Sequence, residues 1–177
     1  ASAAAASAGV NRVEPRALQT LEGAWTVSFE QRPAAPTSPI FAENLFDWSK
    51  HSDPAVKHFS GTATYKRTFV FNAKASRDRR VWIDLGEVAN LGEVFVNGVS
   101  CGVAWTPPYR VEITRALKNG DNELRIDVTN TWANRLIGDA DLPEEKRVTW
   151  TTTKISMKGK PLLKAGLLGP VRLMMEE

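Results

Sequence analysis

The run "GEVFVNGVSCGVA" carries an Asn97-Gly98 pair between two stretches rich in β-favouring residues. Asn-Gly tolerates the positive φ angles of a type I′ turn, whose twist matches that of the flanking strands, so these residues predict a β-hairpin. Similar patterning surrounds it. "TATYKRTFVF" alternates through Tyr65, "RRVWIDLG" sets Val81, Ile83 and Leu85 on one face, "RVEIT" alternates through Val111 and Ile113, and "ELRIDVTN" through Leu124, Ile126 and Val128. A period of two is the signature of a half-buried strand. "GAWTVSFEQ" shows it through Trp25, Val27 and Phe29, and a last strand, "VRLMME", follows Gly169-Pro170. Pro33, Pro36 and Pro39 lack backbone donors and take the chain out of the sheet as a loop. Ser52 or Asp53 caps one helical turn with Pro54 near its first position, and "RALKNGDN" reads as a single turn ending at Gly120. Seven or eight short strands, with no helix beyond a turn or two, indicate an all-β fold, an antiparallel β-sandwich.

Length and composition fit that architecture and exclude several functions. At 177 residues the chain suits one buried core, so residues 10–177 are expected to form a single domain, with "ASAAAASAG" at 1–9 a linker or remnant. A net charge of +3 comes without a long basic block, the densest run being "RDRR" at 77–80, which argues against nucleic acid. No apolar run reaches the roughly 18 residues of a membrane helix. The single Cys101 excludes an internal disulfide framework and a cysteine zinc cage, and His51 and His58 occur without an HExxH pattern. Neither a P-loop, a dinucleotide-binding glycine motif nor a G-x-S-x-G elbow occurs, so phosphate and dinucleotide cofactors have no anchor and serine-hydrolase logic fails.

Three groups of residues, "FSGTATYKRTFVF", the run from "LGEVANLGEV" to "LRIDVTNTW", and "NRLIGD" with "LPEEKRVTW" and "GLLGPVRL", resemble the galactose-binding-like jelly-roll domain of glycoside hydrolases. They resemble the sugar-binding domain of family 2 enzymes and, more closely, the β-sandwich of large bacterial α-L-rhamnosidases. The similarity runs from Phe59 to Leu173, with "GAWTVSFE" a looser match upstream. It implies a jelly-roll accessory to a separate catalytic domain, a carbohydrate-associated role, a structural calcium in some relatives, and a secreted or periplasmic bacterial setting. It does not imply that this chain cleaves a glycoside.

Sugar binding asks for an aromatic face to stack on a pyranose, flanked by planar polar groups that bond its hydroxyls. Two stretches offer both. "AWTPPYR" brings Trp105, Tyr109 and Arg110 onto a loop stiffened by Pro107 and Pro108, and "TNTWANRLIGDAD" brings Trp132, Asn134, Arg135 and Asp139. The expected binding residues are therefore Trp105, Tyr109, Trp132, Asn134, Arg135 and Asp139, with a plant cell-wall polysaccharide or oligosaccharide as ligand and rhamnose-containing pectin as the candidate the resemblance brings in. Five of them have a structural alternative. Trp105 and Trp132 could plug the end of the sandwich, Arg135 could pair with Asp139 or Asp141, Asn130 and Asn134 could bond loop backbone, and Leu136 and Ile137 could reach into the core. Trp25 and Trp82 lie inside strand patterns and are expected in the core, while Trp48 and Trp150 remain unassigned. Asp139, Asp141 and Asn130 supply hard oxygens that suit calcium. Asp139, Asp141, Glu144 and Glu145 offer carboxylates for glycoside hydrolysis, but an acidic run is first a solvated loop. Lys154, Lys158, Lys160 and Lys164, with Arg77, Arg79 and Arg80, could attract an acidic polysaccharide. The competing role is a purely structural domain that packs against a catalytic partner.

Overall fold

The computed structural model describes residues 14–72, 79–152 and 156–176. The expected linker at 1–9, Arg77 and Lys154 fall outside them. Among the described residues twelve strands form three sheets, more than the seven or eight expected. The six-stranded sheet has the order β3 (Ile40–Ala42), β2 (Trp25–Phe29), β4 (Thr62–Phe71), β10 (Gly120–Thr129), β7 (Leu91–Val96), β8 (Val99–Ala104). The four-stranded sheet runs β1 (Arg16–Thr20), β12 (Arg172–Met175), β5 (Val81–Asp84), β9 (Arg110–Glu112). β11 (Gly166–Gly169) pairs with β6 (Glu87–Ala89) as a short third ribbon. The strand pairings within all three sheets are antiparallel. The architecture is an all-β antiparallel sandwich.

Alternation decides which side chains face inward. Tyr65 and Phe69 of β4, Leu124, Ile126 and Val128 of β10, and Ile83 of β5 are buried, as the period of two requires. Trp82 is a correction: it lies between Val81 and Ile83, so the same alternation turns it to the outer face, half-buried beside Arg80. Asn97 (φ 51°) and Gly98 (φ 81°) make the expected β7–β8 turn. Asn97 also donates from Nδ2 to Asn122 Oδ1 at 2.8 Å and to the Ala116 carbonyl at 2.8 Å. Asn122 is buried but satisfied, since its Nδ2 donates to the Lys118 and Gly120 carbonyls and its Oδ1 also accepts from Lys118 N. That polar knot fixes the hairpin to β10.

Trp48, unassigned by sequence, is fully buried in an aromatic cluster with Phe29, Phe59 and Tyr65. Its indole Nε1 donates to Tyr65 Oη at 2.7 Å, and Leu167 N donates to the same oxygen at 3.1 Å. Burial pushes the Tyr65 phenol well above its ordinary range, so it stays neutral and links β4, β11 and the segment around Trp48. Asp53 caps α1 (Pro54–Lys57) by accepting from Ala55 N, as expected. The turn expected to end at Gly120 forms earlier, at Thr114–Ala116.

"TNTWANRLIGDAD" departs most from expectation. Thr129 ends β10, and residues read as loop form a two-turn helix, α2 (Ala133–Ala140). Asn134, Ile137 and Asp139 are its buried residues. Register places it at one end of the six-stranded sheet: Thr129 pairs with Thr62 at the start of β4, and Phe29 at the end of β2 pairs with Ala63. The chain leaving β2, entering β4 and leaving β10 therefore meets at one rim.

Candidate functional site

A cleft of about 360 Å³ opens at this rim, between the segment after β2, the turn before β4, α2 and residues 148–149. Phe59 extends the aromatic cluster to its floor, its ring 4.8 Å from that of Phe29. Trp132, immediately before α2, forms one wall and is 60% exposed. Trp132 is therefore not a core plug: its large apolar ring is left in water beside a concave surface.

The turn before β4 is held by Asn130. Its Oδ1 accepts from Gly61 N at 2.9 Å, its Nδ2 donates to the Phe59 carbonyl at 2.9 Å, and its own N–H donates to the Gly61 carbonyl. Ser60 Oγ in turn accepts from Arg135 N at 3.2 Å, which ties α2 to the same turn.

The six expected site residues separate into three groups. Trp132 and Arg135 both line the cleft. Asn134 and Asp139 do not contact it and are corrections: each is only 2% exposed and acts as a bracket. Asn134 exchanges two hydrogen bonds with the Leu163 backbone, at 2.7 and 2.8 Å. Asp139 Oδ2 accepts from Val148 N, Thr149 N and Thr149 Oγ1, all within 3.0 Å, while Oδ1 lies 2.7 Å from Arg135 Nη2. A helix whose polar residues hold neighbouring backbone is what places them inside. Trp105 and Tyr109 both lie outside the cleft. Ala104 pairs with Gly92, whose neighbour Leu91 pairs with Thr129, so Trp105 emerges at the same sheet end, but outside the cleft. Trp105 is 71% exposed, whereas Tyr109 is half-buried against the core. Trp150, unassigned by sequence, is 82% exposed over a separate hollow with Leu136 and Met157.

Glu30, Arg32, Ser60 and Thr149 complete the cleft and were not anticipated. Arg32 Nη2 pairs with Glu30 Oε1 at 2.9 Å, and Glu30 Oε2 accepts from Thr62 N at 3.3 Å. The sequence did carry one signal, the proline-rich loop that begins at Pro33.

The electrostatics do not favour acid catalysis. Hydrogen bonding from Arg32 holds the Glu30 carboxyl below its ordinary value. Burial alone would raise Asp139, but the Thr149 hydrogen bonds and the Arg135 charge outweigh it and leave the group below its ordinary value. A general acid at neutral pH needs the opposite shift. Burial and the nearby Arg135 charge lower His58, which therefore stays neutral. Of the three residues suited to calcium, Asn130 Oδ1 accepts from Gly61 N, and Asp139 gives Oδ2 to Val148 and Thr149 and sets Oδ1 against Arg135; no group of three or more His, Cys, Asp or Glu side chains is placed to hold a metal among the described residues.

Residues 37–161 match the model of the family described as "Glycosyl hydrolase 2 galactose-binding domain-like". The chain belongs to this galactose-binding-like family. A Novosphingobium sp. PP1Y rhamnosidase structure shares 45% identity over 93% of the chain, with a TM-score of 0.84, and the match covers 16% of that protein. A Formosa agariphila protein named as a β-glucuronidase is 35% identical over 86% of the chain and 15% of its own length. The β-D-glucuronidase of Dictyoglomus thermophilum, at 19% identity and a TM-score of 0.61, shares the fold over 92% of this chain and 28% of its own. This galactose-binding-like domain thus spans a small share of the glycoside hydrolases it matches.

Proposed function

We propose that the chain is a non-catalytic accessory domain of a larger, extracytoplasmic glycoside hydrolase, and that its rim cleft binds carbohydrate. The observation that carries this reading is Trp132, exposed on the wall of a cleft whose other surfaces are Phe59, Val148 and the charged pairs of Arg32 and Arg135. An aromatic ring supplies the stacking surface and the paired charged groups supply hydroxyl partners. The volume lies near the lower end of the roughly 300–1,000 Å³ typical of ligand sites, which suits one sugar ring. Asn134 and Asp139 act indirectly by holding α2 and Thr149 in place.

A parent enzyme acting on rhamnose-containing plant polysaccharide is supported by the 45% identity with the Novosphingobium rhamnosidase. Titration with rhamnogalacturonan, xylan and β-glucan oligosaccharides, followed by tryptophan fluorescence, tests the binding reading. A saturable change that is lost in Trp132→Ala is expected; an unchanged response in that variant would move the site away from the cleft. A structural role against a catalytic partner is the second reading. It is favoured by Trp105 and Phe41, both exposed outside the cleft. Concentration-dependent self-association that disappears when both are replaced would support it.

A further inference from the structure

The cleft contains two guanidinium groups, which at first suggests a site for an acidic sugar. Their pairing argues otherwise. Arg32 Nη2 is 2.9 Å from Glu30 Oε1, and Arg135 Nη2 is 2.7 Å from Asp139 Oδ1. Each positive charge is matched by its own carboxylate, one at the cleft surface and one directly behind it. Arg135 and Asp139 have side chains only 12% and 3% exposed, so this pair is desolvated and its attraction is weakly screened. A carboxylate ligand would have to compete with Asp139 for Arg135, or meet Glu30 beside Arg32.

A neutral sugar meets a better-matched surface. A vicinal diol both donates and accepts. The half-exposed Glu30–Arg32 pair presents a carboxylate acceptor beside further guanidinium donors, so both hydroxyls find partners without breaking the ion pair. Pro33, Ala34, Ala35, Phe59 and Val148 supply apolar contact for the carbon face of the ring, opposite the polar pair in chemistry.

We infer that the cleft selects neutral pyranosides bearing a vicinal diol and discriminates against uronates. The inference rests on the sugar-binding reading above and specifies its ligand class. Glu30 is the discriminating residue: it donates nothing when ionised, repels a carboxylate, and neutralises Arg32.

Matched ligands separate the two claims. The 177-residue chain is titrated at pH 7 and low salt with methyl glycosides of galactose and glucose, and with the corresponding galacturonides and glucuronides, following tryptophan fluorescence. Each acid differs from its neutral counterpart only at C6. At least one neutral glycoside is expected to bind, with its acid counterpart at least about tenfold weaker, since like-charge juxtaposition is costly. Glu30→Gln should close most of that gap by strengthening the uronate. Equal or tighter uronate binding by the unaltered chain, or a gap that Glu30→Gln leaves unchanged, would overturn the selectivity while leaving sugar binding intact. No response to any of the four ligands would remove both claims.

Discussion

Asp139 shows how a polar residue in a sugar-binding-like motif can belong to the scaffold instead. Its carboxylate takes three hydrogen bonds from Val148 and Thr149 and pairs with Arg135, and it is almost inaccessible. Asp139→Ala should lower unfolding stability by about 3 kcal/mol in urea titration, because it leaves Arg135 and two backbone donors without their partner. The pH dependence follows from the direction of its shift. The folded-state carboxyl lies below its ordinary value, so its contribution is complete above the unfolded value of about 3.9 and is lost as pH falls through the lower folded value. Asp139→Asn should flatten that acid limb of the stability profile. Trp132 behaves in the opposite way, since replacing an exposed ring with Ala should alter stability by no more than about 0.5 kcal/mol. The sequence presents these two residues in one motif. What separates them is contact with Val148 and Thr149, about ten positions beyond Asp139, which no local pattern reveals.

Helix α2 explains why this segment was harder to read than the strands. Asn134, Gly138 and Asp139 are weak helix formers, and Thr131 and Asn130 favour turns, so local propensity points to a loop. Burial of Ile137 and the brackets from Asn134 and Asp139 override that preference. Gly138 is needed because His58 packs against it: a Cβ there would lie 2.6 Å from the His58 ring. In an open helix Gly→Ala stabilises by up to about 1 kcal/mol. Here Gly138→Ala should instead lower Tm, and a rise would show that His58 does not pack against this face. Among the strands, long alternating runs such as β4 and β10 announce themselves. β3 and β6 have three residues each, too few to establish a period, and β1 is exposed throughout. Tyr65→Phe tests how the elements are joined. It removes the acceptor shared by Trp48 Nε1 and Leu167 N, and should cost about 2 kcal/mol in denaturant titration despite the apolar replacement.

At the scale of the whole molecule, alternation and the Asn97-Gly98 turn are enough to indicate a sandwich, because they specify which faces must be covered. The rim cleft is a different kind of object. Trp132 and Arg135 are legible from sequence as sugar-contacting types, but Glu30 and Arg32 join them only because Phe29 pairs with Ala63 and Thr62 pairs with Thr129. Long-range register, not composition, assembles that surface. It also leaves Trp105 exposed at the same sheet end but outside the cleft. The chain's small share of the glycoside hydrolases it matches fits a module that works beside a separate reaction centre. The most direct test of that account is a nuclear magnetic resonance titration that follows the six tryptophan indole N–H signals as a neutral oligosaccharide is added. The account predicts a saturable shift at Trp132, with the buried indoles of Trp25 and Trp48 unmoved. Binding that shifts Trp105 or Trp150 and leaves Trp132 unaffected would contradict it.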